Sequence, residues 1–437
     1  MTAERSAPVW AWLPGQTSPI LAGTFSLSGA HGQFVYAADY LSAKHPPLAP
    51  DMPTRSGPLR ITDGCAIFPI FQDAGPDAWG VHLLERRLER QIDTFEALTL
   101  CPVDGAGNLA LGELTDERLR VLGIDEFLTI LADIEAQGKA VTDMQEQVLD
   151  AVENGTSLGG TKPKLTLTRD GQQYLAKFPA KGDSPWIPHV EAAMLKLSKR
   201  CGINACEGEV WRLPDGRSTA LLLKRFDRIS INGDTARIGF VSAHSVMRLD
   251  RQPTNAAQAD ASLLTFGTQG FTSDSLRKSY IAFAESMARW CGGREAHLEA
   301  RRELWRRIVF NALIRNTDDH ARNHGLLCTD MATKRWQLAP AYDLVAPALA
   351  RETPNLALAY LYIRPTTHQQ PRLVWAATRA DLIMAAELHY GYSHDEALAY
   401  LQSTHDAVQS EWRTALADEG IPTAEIERYR GTFSPLA

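Results

Sequence analysis

Apolar and polar positions change their period several times along the chain. In the first part, short apolar runs broken by Gly and Pro predict strands over 24–29, 33–36 and 65–71, which together indicate a small sheet. Three other stretches before residue 154 show the spacing of a helix, and in the first of them charged residues form the opposite face. The helices predicted from this spacing lie over 77–98, 125–137 and 143–153.

From residue 165 the sequence alternates with a period of two and predicts hairpins. Residues 165–168 and 173–178 flank Asp170-Gly171, a pair typical of a type I′ turn because both residues accept a positive φ. This hairpin directly follows a glycine-containing loop. The elements predicted next are a helix over 189–201 and a second hairpin over 209–213 and 218–224.

The last part of the chain is mainly helical in its pattern. Helical spacing predicts helices over 275–291 and 296–314, and again from about residue 377 onward. We therefore predict an α+β fold with an N-terminal sheet-rich part and a large C-terminal all-helical lobe. Enzymes that bind a nucleotide between two lobes share this order of elements, although the analogy alone assigns no function.

Composition and charge exclude several classes of protein. The 437 residues carry 45 Lys and Arg against 52 Asp and Glu, so the net charge is −7, which excludes a wholly basic nucleic-acid coat. Apolar stretches stay shorter than the roughly 18 residues that a membrane span needs, and the N-terminus lacks the design of a secretory signal. We expect a cytoplasmic protein whose six cysteines are reduced thiols, since no C-x-x-C pair is present.

Residues 156–164, Thr-Ser-Leu-Gly-Gly-Thr-Lys-Pro-Lys, form the first candidate site. The paired Gly159 and Gly160 would let backbone N–H groups approach a phosphate, and Lys162 and Lys164 would add positive charge. The spacing differs from that of a Walker-type loop. A surface turn before a strand is the alternative interpretation.

Lys177 is the second candidate, near the end of the strand predicted over 173–178. Leu175 lies on the same face, so Lys177 points toward the apolar side, where an unpaired ammonium group is costly. Phosphate oxygens would pair with it, together with Glu191 from the following helix. The alternative is an edge strand on which Lys177 faces water.

Polar residues are densest over 316–325, Asn-Thr-Asp-Asp-His-Ala-Arg-Asn-His-Gly, directly after a predicted helix. Asp318 with Asn323 five residues later suits phosphoryl transfer, in which Asp orients the attacking hydroxyl and Asn binds Mg²⁺. Asp343 follows a strand predicted over 335–338, and its carboxylate would complete a Mg²⁺ site with Asn323. The alternatives are an Asx-rich turn that caps a helix for the loop, and a helix N-cap for Asp343.

Together these segments resemble the HipA family of bacterial toxin kinases. The residues that carry the resemblance are 157–164, Lys177, 224–228 (Lys-Arg-Phe-Asp-Arg), 317–323 and 342–344, with 68–77 and 103–108 in the N-terminal part. The string T-D-x-H-A-[KR]-N is the most specific of them. By this resemblance, we expect a HipA-type N-terminal subdomain over 1–115, the nucleotide-binding part of an N-lobe over 116–225, and a catalytic C-lobe over 226–437.

The resemblance implies a two-lobed kinase-like fold that uses ATP and Mg²⁺ to phosphorylate a protein serine or threonine. It gives Lys177 contact with the phosphates, Asp318 the role of catalytic base, and Asn323 and Asp343 the metal. Ser157 matches the family's autophosphorylated serine, and its phosphate would be expected to eject the loop. The residues expected at the nucleotide are Ser157, Gly159, Gly160, Lys164, Lys177, Phe226, His320 and Arg322.

The resemblance also implies partners. Family targets are aminoacyl-tRNA synthetases, and the usual antitoxin is a small helix-turn-helix protein that binds DNA. Because the chain is acidic and has no DNA-binding motif of its own, we expect nucleic-acid binding only through such a partner.

Two positions depart from the family pattern, and two other functions stay open. Lys224 stands where other members have an acidic residue, which puts a side-chain contact to adenine in doubt, and Asp319 stands where some relatives have Gly. The first alternative is a degenerate kinase fold that serves as a binding or regulatory module. The second is a metal-dependent nuclease that uses Asp318, Asp319, His320 and Asp343.

Overall fold

The computed structural model describes residues 4–61, 65–137, 148, 163–180, 182–213, 219–250, 276–330, 335–350, 352–364 and 372–436. Contacts within the chain divide it into two units. The first comprises 1–62, 66–192 and 206–240, and the second comprises 63–65, 193–205 and 241–437. We describe each unit by itself.

The first unit begins with an antiparallel five-stranded sheet in the order β4-β3-β2-β1-β5. Alternate residues of its strands face a core in which the rings of Phe25, Phe34, Phe68 and Phe71 contact one another edge to face. The strands are β1 (Arg5–Ala11), β2 (Ile20–Ser28), β3 (His31–Tyr36), β4 (Leu59–Arg60) and β5 (Leu109–Leu111). The helices are α1 (Ala38–Ser42), α2 (Pro69–Asp73), α3 (Ala78–Leu88), α4 (Thr94–Leu100) and α5 (Asp116–Leu119).

Two sequence predictions in this region are wrong. Residues 65–71 do not form a strand, because Pro69 occupies the first turn of α2 and its fixed φ favours a helix start. The single helix predicted over 77–98 is two helices. The first ends at Leu88, where Glu89 adopts a left-handed φ of 53°, and the second begins with a capping box between Asp93 and Glu96.

A second five-stranded sheet, in the order β6-β7-β8-β10-β9, completes the first unit. Phe127, Leu167, Ala176 and Leu222 are among its buried core residues. The elements are β6 (Leu122–Gly123), α6 (Ile124–Gln137), β7 (Lys164–Arg169), β8 (Gln172–Lys177), α7 (Ile187–Arg200), β9 (Gly208–Arg212) and β10 (Thr219–Lys224), followed by the hairpin of β11 (Arg228–Ile231) and β12 (Asp234–Arg237).

The hairpin predictions for this sheet are confirmed. Asp170 and Gly171 between β7 and β8 have φ values of 52° and 74°, as a type I′ turn requires. The helices predicted over 125–137 and 189–201 are present as α6 and α7. The helix predicted over 143–153 lies outside the described residues, apart from residue 148.

The second unit is mainly helical. Helix α10 contributes much of its core and buries Trp305, Ile308 and Phe310 completely. The helices are α8 (Ala243–Val246), α9 (Tyr280–Ser286), α10 (Arg294–Leu313), α11 (Arg379–Ala385), α12 (His394–Asp418) and α13 (Thr423–Ile426), with a π-helix at Ala386–Tyr390 and 3-10 turns at Met287–Arg289, Ala321–Asn323 and Glu427–Tyr429. The helices predicted over 296–314 and after residue 377 are therefore confirmed.

Two small sheets interrupt the helices of this part of the chain, so its helical character is not complete. One has the order β13-β14-β15 and the other pairs β16 with β17. Their strands are β13 (Gly239–Ser242), β14 (Gly325–Asp330), β15 (Arg335–Leu338), β16 (Leu361–Ile363) and β17 (Arg372–Val374). The prediction of one helix over 275–291 is wrong in its extent: Ser279 caps the shorter α9, which ends at Ser286, and a 3-10 turn over Met287–Arg289 follows.

Two further observations concern the cysteines and the helices of both units. All six cysteines are buried. Within the described part of the chain, no helix has both the length and the apolar composition that crossing a membrane requires.

Candidate active site

A buried ion pair joins β8 to α7 in the first unit. Nζ of Lys177 lies 2.7 Å from Oε1 of Glu191, and the exposed fractions of the two side chains are 14% and 2%. Strand β8 is the middle strand of its sheet, so the edge-strand interpretation of Lys177 is wrong. A buried carboxylate is stable only when it is well paired, so this contact fixes where the lysine points. The pairing of Lys177 with Glu191 that the sequence analysis expected is therefore present in the structure.

The glycine-rich segment is described only at its end. Ser157, Gly159 and Gly160 lie outside the described residues. Lys164 opens β7 directly opposite Lys177 in the β7–β8 ladder. Its Nζ lies 2.5 Å from Oδ2 of Asp77, so in this structure Lys164 contacts a carboxylate from the N-cap of α3.

Residues 224–228 follow the last long strand of this sheet. The ring of Phe226 is half-buried, with its centroid 5.8 Å from that of Phe240. Lys224 is exposed, and its Nζ lies 3.4 Å from Oε2 of Glu207. The side chain of Lys224 is therefore engaged by a surface carboxylate of its own unit.

The other charged residues of this segment form a buried network with the loop over 103–108. Asp227 accepts hydrogen bonds from Arg225, from Arg228 and from the backbone N–H of Gly107. Both guanidinium groups also donate to the carbonyl oxygen of Gly105. Burial opposes ionisation of Asp227, but the two arginines outweigh it and hold the pKa of the carboxyl below its usual range. Two motifs that were separate in the sequence analysis therefore stabilise each other.

In the second unit, the loop that follows α10 is held by side-chain amides. Asn316 donates from Nδ2 to Oδ1 of Asn311 at 3.0 Å and to the backbone oxygen of Asp343 at 3.3 Å. Asn323 donates from Nδ2 to the backbone oxygen of Asp318 at 3.2 Å. These bonds connect the two parts of the chain that carry Asp318, Asn323 and Asp343.

Asp318 itself is exposed at the surface of this loop. The short 3-10 turn Ala321–Asn323 follows it, with His320 at the N-cap position and no side-chain cap. The interpretation of the aspartates as caps of a helix is therefore wrong. An exposed carboxylate at this position can reach a substrate hydroxyl.

Asp319 is a residue whose role the sequence analysis missed. Its side chain is buried, and Oδ2 accepts hydrogen bonds from the hydroxyl of Tyr280, from Nδ2 of Asn311 and from Nε2 of His324. We assign the proton of His324 to Nε2 because a carboxylate only accepts. Burial, and then the charge of Asp319, raise the pKa of Tyr280 well above its usual value, so the hydroxyl remains a donor.

Asp343 adopts a left-handed backbone with φ of 60°, and its side chain is half-buried. No helix begins in the described residues that follow it up to residue 350, so the interpretation as a helix N-cap is wrong. A left-handed φ costs energy for any residue with a Cβ, although Asp and Asn tolerate it best. The surrounding bonds must therefore impose this conformation.

The two remaining predicted site residues lie on the same loop. His320 and Arg322 are both exposed. Nη2 of Arg322 is 4.0 Å from Oδ1 of Asp250, to which Nε2 of His244 approaches within 2.9 Å. His320 and Arg322 are therefore accessible to a ligand.

The donor set of this loop suits a hard divalent cation. The NH₂ group of Asn323 is fixed on the backbone of Asp318, so its amide oxygen is the atom left to bind a metal. The carboxylate of Asp343 would be the second oxygen ligand. Mg²⁺ prefers such oxygen ligands and usually takes only one or two from the protein, together with phosphate oxygens and water. These residues therefore fit Mg²⁺ bound with a nucleotide.

Comparison with protein families identifies the chain. Residues 156–412 match the model described as the HipA-like C-terminal domain, and residues 16–112 match the HipA N-terminal domain. The chain belongs to the HipA family. The resemblance stated from the sequence motifs is confirmed, and the first match contains all the predicted site residues.

A solved structure supports the fold of this HipA-family protein. Its structure is similar to HipA of Shewanella oneidensis MR-1, solved in complex with HipB and operator DNA, with a TM-score of 0.65 and 19% sequence identity. The match covers 97% of this chain and 95% of that chain. The predicted α+β kinase-like fold class is confirmed.

One curated protein from Haemophilus influenzae, named "Putative kinase", is 23% identical over 237 residues. The alignment covers 47% of this chain and 62% of the length of that protein. Family membership and the two comparisons together support a kinase-like protein in general terms.

Proposed function

We propose that this protein is an ATP- and Mg²⁺-dependent protein serine/threonine kinase of the HipA toxin type. The observation that carries the proposal is the ion pair between Lys177 and Glu191. Protein kinases require a strand lysine paired with a helix glutamate, because the pair directs the ammonium group to the nucleotide phosphates. The middle strand of a sheet and the helix that follows it supply both residues in this chain.

The residues of the second unit have complementary roles in the proposal. Asp318 accepts the proton of the attacking hydroxyl, which its exposure allows. Asn323 and Asp343 hold Mg²⁺, which neutralises charge on the transferred phosphate when it is bound with ATP. The buried Asp319 and Asn316 orient the loop that carries these groups.

The domain limits 1–115, 116–225 and 226–437 are part of the proposal. The two five-stranded sheets, which lie within residues 5–111 and 122–224, support the first two of them. The proposal also names residues that would contact the nucleotide: Ser157, Gly159, Gly160, Lys164, Phe226, His320 and Arg322. Lys164 leaves Asp77 to do so, because a half-exposed ion pair is weak enough to exchange for a phosphate.

We further propose that Ser157 is autophosphorylated and that the cellular target is a protein, with an aminoacyl-tRNA synthetase as the family precedent. A helix-turn-helix antitoxin is the proposed partner, and any contact with DNA would occur through it. The support is that the solved Shewanella HipA is a complex with HipB and operator DNA. The proposed location is the cytoplasm.

The two alternative functions have less support. A metal-dependent nuclease would need Asp318 and Asp319 as neighbouring ligands, yet Asp319 is buried and binds Tyr280, Asn311 and His324. A binding module without activity would need neither the Lys177–Glu191 pair of the first unit nor the exposed Asp318 of the second.

The test is transfer of label from γ-labelled ATP in the presence of Mg²⁺. We expect the wild type and Asp395→Asn, an exposed control, to be labelled, and Asp318→Asn to be unlabelled at a normal unfolding temperature. Phosphopeptide mapping should find the label on Ser157 and lose it in Ser157→Ala. If the wild type takes no label and ATP with Mg²⁺ causes no thermal shift, the kinase proposal is wrong.

A further inference from the structure

Arg315 occupies an unusual backbone position between α10 and the loop that carries Asp318. The N–H of Arg315 donates to Ala312, and the N–H of Asn316 donates to Asn311. These two bonds define a Schellman motif, in which the residue at the position of Arg315 is left-handed and is usually Gly. Arg315 has a φ of 54° and is not Gly, so its side chain must offset the strain.

The guanidinium of Arg315 is buried, and each of its three nitrogen atoms donates a hydrogen bond. Nε donates to the backbone oxygen of Glu352 at 3.1 Å, and Nη2 donates to Oγ of Ser434 at 2.9 Å. Nη1 donates to the backbone oxygens of Thr432 and of Ser434. The exposed fraction of the residue is 3%. All four acceptors are neutral, so this buried charge depends on every one of them.

The segment over 432–434 is itself held in place by other residues of the second unit. The ring of Phe433 stacks on Trp412 with centroids 4.7 Å apart. Oγ1 of Thr432 donates to the backbone oxygen of Pro347, and Nε2 of Gln409 donates to that of Phe433. The segment therefore offers Arg315 acceptors at fixed positions.

We propose that Arg315 is a positioning residue that couples the segment over 432–434 to the geometry of the catalytic loop. The proposal rests on the proposed kinase function. Asn316, the next residue, bonds Asn311 and the backbone of Asp343, so the backbone angle that Arg315 holds sets the start of the loop. Release of the guanidinium would let the loop from Asn316 to Asn323 sample other conformations.

The variant that tests this coupling is Arg315→Gly. Gly accepts the left-handed φ without strain, so the helix end stays intact while the contacts to 432–434 are lost. Glu89→Gly is the matched control, because Glu89 also ends a helix with φ of 53° but its side chain is exposed. Arg315→Lys keeps the charge and one donor group, and it should give an intermediate effect.

Two measurements test the role of Arg315 and the proposed kinase function separately. Hydrogen exchange of peptides over 316–325 should be about tenfold faster in Arg315→Gly than in the wild type and unchanged in Glu89→Gly. The kcat for phosphate transfer should fall about 10- to 100-fold in Arg315→Gly, with a KM for ATP within about twofold of the wild type.

Unchanged exchange over 316–325 would overturn the proposal. So would faster exchange with a wild-type kcat, because Arg315 would then be merely structural. If the wild type transfers no phosphate, the proposed function is wrong, and the exchange comparison still decides whether Arg315 holds the loop.

Discussion

Oδ2 of Asp319 lies 2.9 Å from Nε2 of His324, five residues further along the same loop. Tyr280 and Asn311 donate to the same oxygen, so the carboxylate is enclosed by three donors. The side chain of the preceding residue, Asp318, is exposed. Two adjacent aspartates therefore differ in environment: Asp319 holds the loop, and Asp318 is open to solvent, where we propose that the substrate binds.

This contrast predicts that replacing Asp by Asn lowers the stability of the protein at position 319 and hardly changes it at position 318. Asp319→Asn can keep an oxygen for the three donors, but its NH₂ group would occupy the buried position of Oδ1, where the described residues offer no hydrogen-bond partner, so we expect a loss of about 1–3 kcal/mol in the free energy of unfolding. Asp318→Asn should change it by less than about 0.5 kcal/mol, as exposed substitutions usually do. Urea unfolding of both variants measures the difference. Equal stability of the two variants would contradict the assigned role of Asp319.

The ion pair of Lys177 predicts that replacing this lysine lowers the activity, whereas replacing another ion-paired lysine does not. Lys177→Met should lower the kcat/KM for ATP by about 100-fold or more, because it removes the ammonium group that we propose contacts the phosphates. The control is Lys196→Met on the same helix as Glu191, since Lys196 also pairs with a buried glutamate, Glu419, and neither of these two is a predicted site residue. Steady-state kinetics with varied ATP would distinguish them, and a similar loss in both variants would argue against a specific role for Lys177.

Local signals predicted most of the fold. The turn at Asp170-Gly171 and the helical spacing over 296–314 were sufficient because each is determined by residues close in sequence. The break near Glu89 was missed because the apolar spacing continues through it. A signal was available in the Asp93 to Glu96 capping box, which marks a new helix start.

The candidate site was predictable only in part. Asp318, Asn323 and Asp343 belong to recognisable motifs, and the resemblance to the HipA family gave them roles. The partners of Asp319 and Arg315 were not predictable, because Tyr280 and the segment over 432–434 lie far away in sequence. No periodic pattern records which distant donor or acceptor a buried charge will meet.

The backbone of Asp343 guides a test of the proposed Mg²⁺ site. Asp343→Asn should weaken Mg²⁺-dependent ATP binding by about tenfold while preserving the fold, since Asn tolerates the φ of 60°. Asp343→Gly, which also accepts this φ, should abolish the binding because it supplies no oxygen ligand. Calorimetric titration of ATP with and without Mg²⁺ measures both effects. Binding of Mg²⁺-ATP that equals the wild type in Asp343→Gly would place the metal on other residues.

The half-buried His389 predicts how stability changes with pH. Burial, aided by the nearby Arg364 and Arg301, lowers the pKa of His389 from 6.5 to about 4. Between these values the unfolded chain binds a proton that the native protein does not, so stability falls as the pH drops from about 6.5 to about 4. From pH 7 to pH 5 this group should remove about 2 kcal/mol from the free energy of unfolding. Urea unfolding of His389→Gln at the two pH values should show a stability loss that is about 2 kcal/mol smaller than in the wild type. The control His31→Gln, at an exposed position, should lose as much stability as the wild type. If His389→Gln loses as much stability as the wild type, His389 does not cause the acid sensitivity.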